Sequence, residues 1–209
     1  QLSNSLRHRG PDGEGYLAVN LNSDKLWALT GPSSPVAGPS ALGFGETAHL
    51  FLGHRRLAIV DPTPAGHQPM SLANNRYWIT FNGEIYNFEK LKHLLIQEGI
   101  HFSTHSDTEV LLAAYQAWGP SLLDKLEGMW AFVIYDREKQ LLFGARDRTG
   151  VKPLYYSHTN DYFVFASELK ALAAMPFIKT ELNRKAAFDY LAFGWQEREP
   201  EGFFKGLIE

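Results

Sequence analysis

Residues 77–98 read YWITFNGEIYNFEKLKHLLIQE, and two hydrophobic rhythms meet inside them. The run 77–82 is apolar and rich in aromatic and β-branched side chains, the composition of a strand. Further on, Phe88, Leu91, Leu94 and Leu95 share one face at helical spacing, and Gly99 stands where a helix stops. Between the two rhythms lies Asn82-Gly83-Glu84. Out of context Asn-Gly signals a hairpin turn. Here a helix at Asn87 follows instead of a returning strand, so the segment predicts a strand that hands the chain to a helix. An amide, a backbone N–H with no Cβ beside it and a carboxylate are then delivered to one place. Those groups can stabilise a developing oxyanion and meet a cation.

Outward from this segment, further strands are predicted at 16–20, 49–53, 57–60, 129–136, 141–145, 154–157 and 162–166. Ser106 with Glu109 fits a capping box, and Val110, Leu111, Ala114 and Tyr115 continue an apolar helical face up to Gly119 and Pro120. Helical patches also lie at 88–98, 121–126, 168–173 and 183–192, the last with Asn183 as its N-cap. The stretch 30–47, TGPSSPVAGPSALGFGET, is rich in Gly, Pro and Ser without periodicity, and is the segment expected to be disordered. Runs of strands with helices clustered between them, and no strict βαβ alternation, give an α+β class with mainly antiparallel sheets.

Composition narrows the function classes. With 209 residues, 44% hydrophobic and 13% aromatic, the chain can bury a sizeable core and reads as one large domain. A net charge of −3, a pI near 6.3 and no Lys/Arg run argue against a nucleic-acid partner. No apolar run approaches the roughly 20 residues that span a bilayer. The polar start, 1–9, is unlike a signal peptide, so a cytoplasmic location and no membrane partner are expected. The absence of cysteine excludes disulfides, thiolate metal sites and thiol chemistry from these residues. His8, His54 and His67 lack metal-ligand spacing, so no metal is expected. GEGYLAVN lacks the glycine spacing and the Lys-Ser/Thr pair of a phosphate loop.

Two further side chains are candidates. Arg56 ends GHRRL directly before an apolar run, where a guanidinium could grip a carboxylate bidentately. Its plainer reading is a salt-bridged surface arginine. Asp107 lies in the first turn of the helix capped by Ser106, where the macrodipole favours a carboxylate in any case. A functional role requires it to face a pocket and meet an ammonium group.

Eight motifs in order, HRGPDGEGY, GHRRLAIVD, GHQPM, FNGEIYN, SDTEVLL, LEGMWAFVIYD, ARDRTGVKPLYY and ASELKAL, resemble the N-terminal domain of glutamine-dependent asparagine synthetases along nearly the whole chain. The resemblance implies a class II glutamine amidotransferase of the N-terminal-nucleophile hydrolase fold, a four-layer αββα sandwich. In that family an N-terminal cysteine attacks the side-chain amide of glutamine, with its own α-amine as base. By motif, Arg56 holds the glutamine α-carboxylate, Glu84 and Asp107 its α-ammonium, the backbone around Ile59 and Val60 lines the pocket, and Asn82 with the N–H of Gly83 stabilises the oxyanion.

The expected organisation is an amidotransferase domain over 1–195, lacking its first strand and the cysteine, and the start of a linker to a synthetase domain over 196–209. L-glutamine and that synthetase domain are the implied partners, and a homodimer is left open. No cofactor belongs to the amidotransferase domain; ATP and Mg2+ belong to the synthetase domain. Ammonia released from glutamine would amidate aspartate. The alternatives are another carboxylate acceptor such as a sugar acid, or a non-catalytic glutamine-binding module.

Overall fold

The computed structural model describes residues 2–178, 180–194 and 202–208. In chain order its elements are α1 (Leu2–Ser5), β1 (Gly13–Asn20), β2 (Lys25–Thr30), β3 (Leu50–Arg56), β4 (Met70–Leu72), β5 (Tyr77–Ile85), α2 (Phe88–Gln97), α3 (Asp107–Trp118), β6 (Gly128–Asp136), β7 (Leu141–Arg146), β8 (Tyr155–His158), β9 (Phe163–Ala166), α4 (Leu169–Ala173) and α5 (Arg184–Phe193). Among the described residues no helix is long and apolar enough to cross a membrane. The residues group into two compact units, Arg7–Val151 and Lys152–Glu209 with Gln1–Leu6.

The Arg7–Val151 unit holds two antiparallel sheets, ordered β2-β1-β3 and β4-β5-β6-β7. Alternation along β5 and β6 sends Ile79, Phe81, Ile85, Trp130, Phe132 and Ile134 to one face. There they pack against Leu91 and Leu95 of α2 and Val110, Leu111 and Tyr115 of α3. Each such leucine, wholly removed from water, contributes about 1.5–3 kcal/mol. The alternate residues Trp78, Thr80, Val133 and Tyr135 are buried as well, so the sheet is covered on both faces. The other sheet brings Leu17, Val19 and Leu52 to this second layer, with β3 neighbouring β5. Asp107 to Tyr115 of α3 are buried without a break, which places the start of that helix inside the unit.

The other unit pairs β8 with β9 and buries Ala171 and Leu172 of α4. Asn183 caps α5 as expected, its Oδ1 accepting the Ala186 N–H at 3.2 Å. None of the α5 residues is buried. Of the expected linker 196–209, the described part belongs to this unit. Phe204 bridges Leu182, Ile208 bridges Tyr156, and Leu207 is buried. The expected boundary at 195 lies outside the described residues.

Several expectations are corrected. Residues 57–60 form no strand, because β3 ends at Arg56 and the chain then curls around that side chain, whose guanidinium donates to the carbonyls of Thr63 and Asp61. The N–H of Ala58 goes to Asp12 Oδ2 at 3.0 Å rather than into a ladder. The Gly/Pro/Ser-rich excursion is not disordered. Thr30 organises it, with its N–H on the Pro39 carbonyl, its carbonyl accepting from Ala41 and its hydroxyl donating to Gly38. The capping box is half formed: Ser106 Oγ accepts the Thr108 N–H at 3.1 Å, but Glu109 is buried and takes the N–H groups of Ser103 and Thr104 instead. Residues Gly119–Asp124 form a 3₁₀ turn where helix was expected from 121. Strands β2 and β4 were not foreseen, since a six-residue run with five partly or fully exposed positions and a three-residue strand carry little rhythm.

Candidate active site

Asn82, Gly83 and Glu84 lie within β5, which continues to Ile85, rather than at the strand's end. They pair with Ala131, Trp130 and Met129 of β6. Trp130 gives its carbonyl to the N–H of Asp147 and its own N–H to Asp147 Oδ2. The Gly83–Trp130 pair is therefore the open kind, and the Gly83 N–H points away from β6. On that side β4 starts only at Met70, opposite Ile79, so beyond it the edge of β5 has no strand partner. Alternation puts the N–H groups of Phe81, Gly83 and Ile85 along this edge. Phe81 donates to Gln68 Oε1 at 2.7 Å and Ile85 to Asp107 Oδ2 at 3.1 Å. The Gly83 N–H lies between them.

Gly83 must be glycine, since a Cβ there would run into Met129 O and Trp130 Cα of the neighbouring strand. The Nδ2 of Asn82 is buried and has no hydrogen-bond partner among the described residues. A buried donor without a partner costs about 1–3 kcal/mol, and native structures keep few of them. The next main-chain donor along β5 is the outward N–H of Gly83, also a neutral group.

Asp107 closes the edge from α3. Burial raises its carboxyl to about 6, against the N–H groups of Ile85 and Thr108, while the charge of Glu84 adds to the rise. Glu84 is thus near enough to act on Asp107 through its charge, and among the described residues neither carboxylate has a cation as an ion-pair partner.

Arg56 is only 7% exposed and is no surface ion pair. Nη1 donates to Thr63 O at 2.7 Å and Nη2 to Asp61 O. Burial lowers the pKa of its guanidinium, with Asp61 and Asp12 opposing the shift. Burial also drives the His54 imidazole down to about 3, helped by His67 and Arg56, so His54 is neutral and the charge of this group stays on Arg56. Ile59 is 66% exposed and Val60 partly so, both on the loop that Arg56 holds. The loop reaches α3 through Asp61, whose buried carboxylate takes Thr63 N–H and Oγ–H and the backbone N–H of His105.

The structure therefore brings Asn82, Gly83, Glu84 and Asp107 to one sheet edge and ties the Arg56 loop to the approach of α3. Gln68 and Asp61 do the tying, Asp147 fixes Trp130 opposite Gly83, and sequence reasoning singled out none of the three. Each sits within a motif, GHQPM, GHRRLAIVD or ARDRTGVKPLYY. The only signal was a polar residue fixed beside apolar neighbours. The same holds for the buried pair Glu14–Arg55 at 2.7 Å, with Tyr16 and Ser33 also donating to Glu14. Among the described residues no group of three or more His, Asp or Glu could hold a metal ion.

A family model described as a glutamine amidotransferase domain matches residues 35–209. Asparagine synthetase [glutamine-hydrolyzing] 1 of Bacillus subtilis is 44% identical over 193 residues, 92% of this chain and 26% of its own length. Asparagine synthetase [glutamine-hydrolyzing] 3 of the same organism is 40% identical over 174 residues, 82% of this chain and 28% of its own. The chain thus spans about a quarter of these relatives. Among solved structures, glutamine phosphoribosylpyrophosphate amidotransferase from B. subtilis, complexed with ADP and GMP, superposes with a TM-score of 0.66 at 30% identity, covering 82% of this chain and 39% of that one. An α+β sandwich of antiparallel sheets, a sheet edge with two neutral donors and two carboxylates, and these matches converge: the chain belongs to the glutamine amidotransferase domain family, with the N-terminal-nucleophile hydrolase type of fold.

Proposed function

We propose that this chain is the glutamine-hydrolysing part of an enzyme of the asparagine-synthetase kind. The observation that carries the reading is the open edge of β5, where the Gly83 N–H and the unpartnered Nδ2 of Asn82 stand beside Asp107 and Glu84. A zwitterionic substrate with a side-chain amide fits this set. Its α-ammonium meets the two carboxylates, its α-carboxylate meets Arg56, and the oxygen of its amide enters the donor pair. The loop carrying Ile59 and Val60 forms the wall between.

In the reaction a cysteine thiolate adds to the amide carbon, and the carbonyl oxygen takes the charge that Gly83 and Asn82 stabilise. The C–N bond breaks, ammonia leaves with the proton received from the thiol by way of a base, and water hydrolyses the thioester to glutamate. None of the 209 residues is cysteine, so the nucleophile is not among them. The ammonia would then amidate aspartate, in keeping with the asparagine-synthetase names of the relatives; a separate synthetase domain would hold the ATP and Mg2+ that activate the acceptor. A cytoplasmic location belongs to the same proposal.

The test uses the complete gene product. Glutamine-dependent conversion of aspartate to asparagine, with free ammonia as a substitute donor, is the expected result. Glutamine hydrolysis without turnover of aspartate would move the acceptor to another carboxylate, such as a sugar acid. Glutamine binding with no hydrolysis would leave a binding module.

A further inference from the structure

Gln68 is 7% exposed, and its side chain makes two directional bonds. Oε1 accepts the Phe81 N–H at 2.7 Å, and Nε2 donates to Thr108 Oγ1 at 3.3 Å. The orientation of the amide is fixed by chemistry, because the Phe81 N–H requires an acceptor. Phe81 is the first edge position of β5 past β4, and the amide oxygen stands there in place of a strand carbonyl. Thr108 follows Asp107, which takes the next edge N–H but one, that of Ile85. The first turn of α3 is thus tied to β5 twice, directly through Asp107 and indirectly through Gln68, and the Gly83 N–H occupies the interval between the ties.

The backbone at Gln68 is itself held close. A Cβ on Gly15 of β1 would run into the Gln68 carbonyl and the His67 ring, so the glycine of GEGY lets the 67–68 segment lie against the other sheet. A surface glutamine filling space needs neither a glycine opposite it nor two simultaneous bonds.

We propose that Gln68 is a positioning residue for glutamine hydrolysis. It sets the separation between the oxyanion donors of β5 and the Asp107 carboxylate of α3, so that amide and ammonium ends of one substrate are met together. This rests on the function proposed above. An error of about 1 Å in such a site can cost on the order of 10²-fold in rate.

In the complete gene product, Gln68→Met keeps the length of the side chain and removes both bonds. Its kcat for glutamine hydrolysis is expected to fall ~10- to 100-fold, with KM rising severalfold. Thr108→Val removes only the tie to α3. Its KM for glutamine is expected to rise ~5-fold or more with kcat within ~2-fold, and Thr108→Ser should restore it. A role in folding alone lowers the active fraction, and so kcat, without moving KM. Wild-type KM in both folded variants, or in Thr108→Val if Gln68→Met does not fold, overturns the proposal. A wild-type protein that hydrolyses no glutamine overturns the functional reading and this inference with it, an outcome distinguished by needing no variant.

Discussion

The two ends of the candidate site are built by opposite means. At the β5 edge, backbone N–H groups face outward and side chains from elsewhere, Gln68 and Asp107, come to meet them. At the end of β3 a side chain stands at the centre and the backbone comes to it, the carbonyls of Asp61 and Thr63 closing on Arg56. The first end is preset by a sheet paired along all of β5 with β6, and its donors cannot shift without breaking that ladder. The second is a loop whose shape depends on one guanidinium. Rigid donors serve a transition state, where charge must be met without reorganisation. A cation that also organises its loop serves binding, and couples binding to local order.

Arg56→Ala should separate the two ends most strongly. Loss of a charge-assisted contact typically costs a few kcal/mol, so the apparent affinity for glutamine should fall ~10²-fold or more while ammonia-dependent synthesis persists. The carbonyls of Asp61 and Thr63 also lose their donor, so the melting temperature should drop. Equal loss of glutamine- and ammonia-dependent activity would mean that Arg56 only holds its loop. Arg56→Lys keeps the charge but not the planar fork, and should recover little of the affinity.

Asn82→Ala probes the rigid end. It should lower kcat for glutamine hydrolysis on the order of 10²-fold with a smaller change in KM, because its donor meets charge that appears only in the tetrahedral intermediate. Stability should hold or improve, since the removed Nδ2 is a buried group without a partner. A variant that bound glutamine far more weakly yet turned over normally at saturation would make Asn82 a ground-state contact.

The acid pair gives a pH test. Burial raises the carboxyl of Asp107 to about 6, and an ammonium requires it ionised. Between pH 7 and 5 the affinity for glutamine should therefore fall roughly tenfold. The sign for stability is the reverse. A folded-state pKa above the unfolded value means that the folded protein binds the proton more tightly, so this group adds stability as pH falls from about 6 towards 4. Asp107→Asn should remove both components. Calorimetric titrations that show the same affinity at pH 7 and 5 would separate Asp107 from the ammonium.

How much of this was legible follows the same division. The strand-to-helix segment around Asn82, the helical face of α2 and the Ser106 cap declared themselves through rhythm and turn chemistry, and the α+β class followed. The end of β3 did not. Leu57 to Val60 has the composition of a strand, and nothing local reveals that Arg56 will draw Asp61 and Thr63 around itself. For Arg56 the sequence leaves a carboxylate grip and a surface ion pair both open, because burial of a guanidinium on backbone carbonyls is a tertiary fact. Gln68 was invisible for the same reason, its partners lying 13 and 40 residues away. Glu109 fits a capping box in sequence, yet burial sends it to Ser103 and Thr104.

The smallest effect is expected at Ile59, and it sharpens the account of the loop. The side chain is 66% exposed, so truncation removes little buried area, and surface changes of this kind usually stay within about 0.5 kcal/mol. If the loop contributes backbone to the pocket, Ile59→Ala should alter KM for glutamine by less than ~2-fold. The loop's position comes from the Ala58 N–H on Asp12 Oδ2 at 3.0 Å and from the grip of Arg56. Asp12→Ala, which cuts the first of these without touching residues 57–60, should therefore raise KM more than Ile59→Ala does. A shift of fivefold or more on truncating Ile59 alone would give the side chain itself a place against the substrate, and the loop would then be a wall of side chains rather than a frame of backbone.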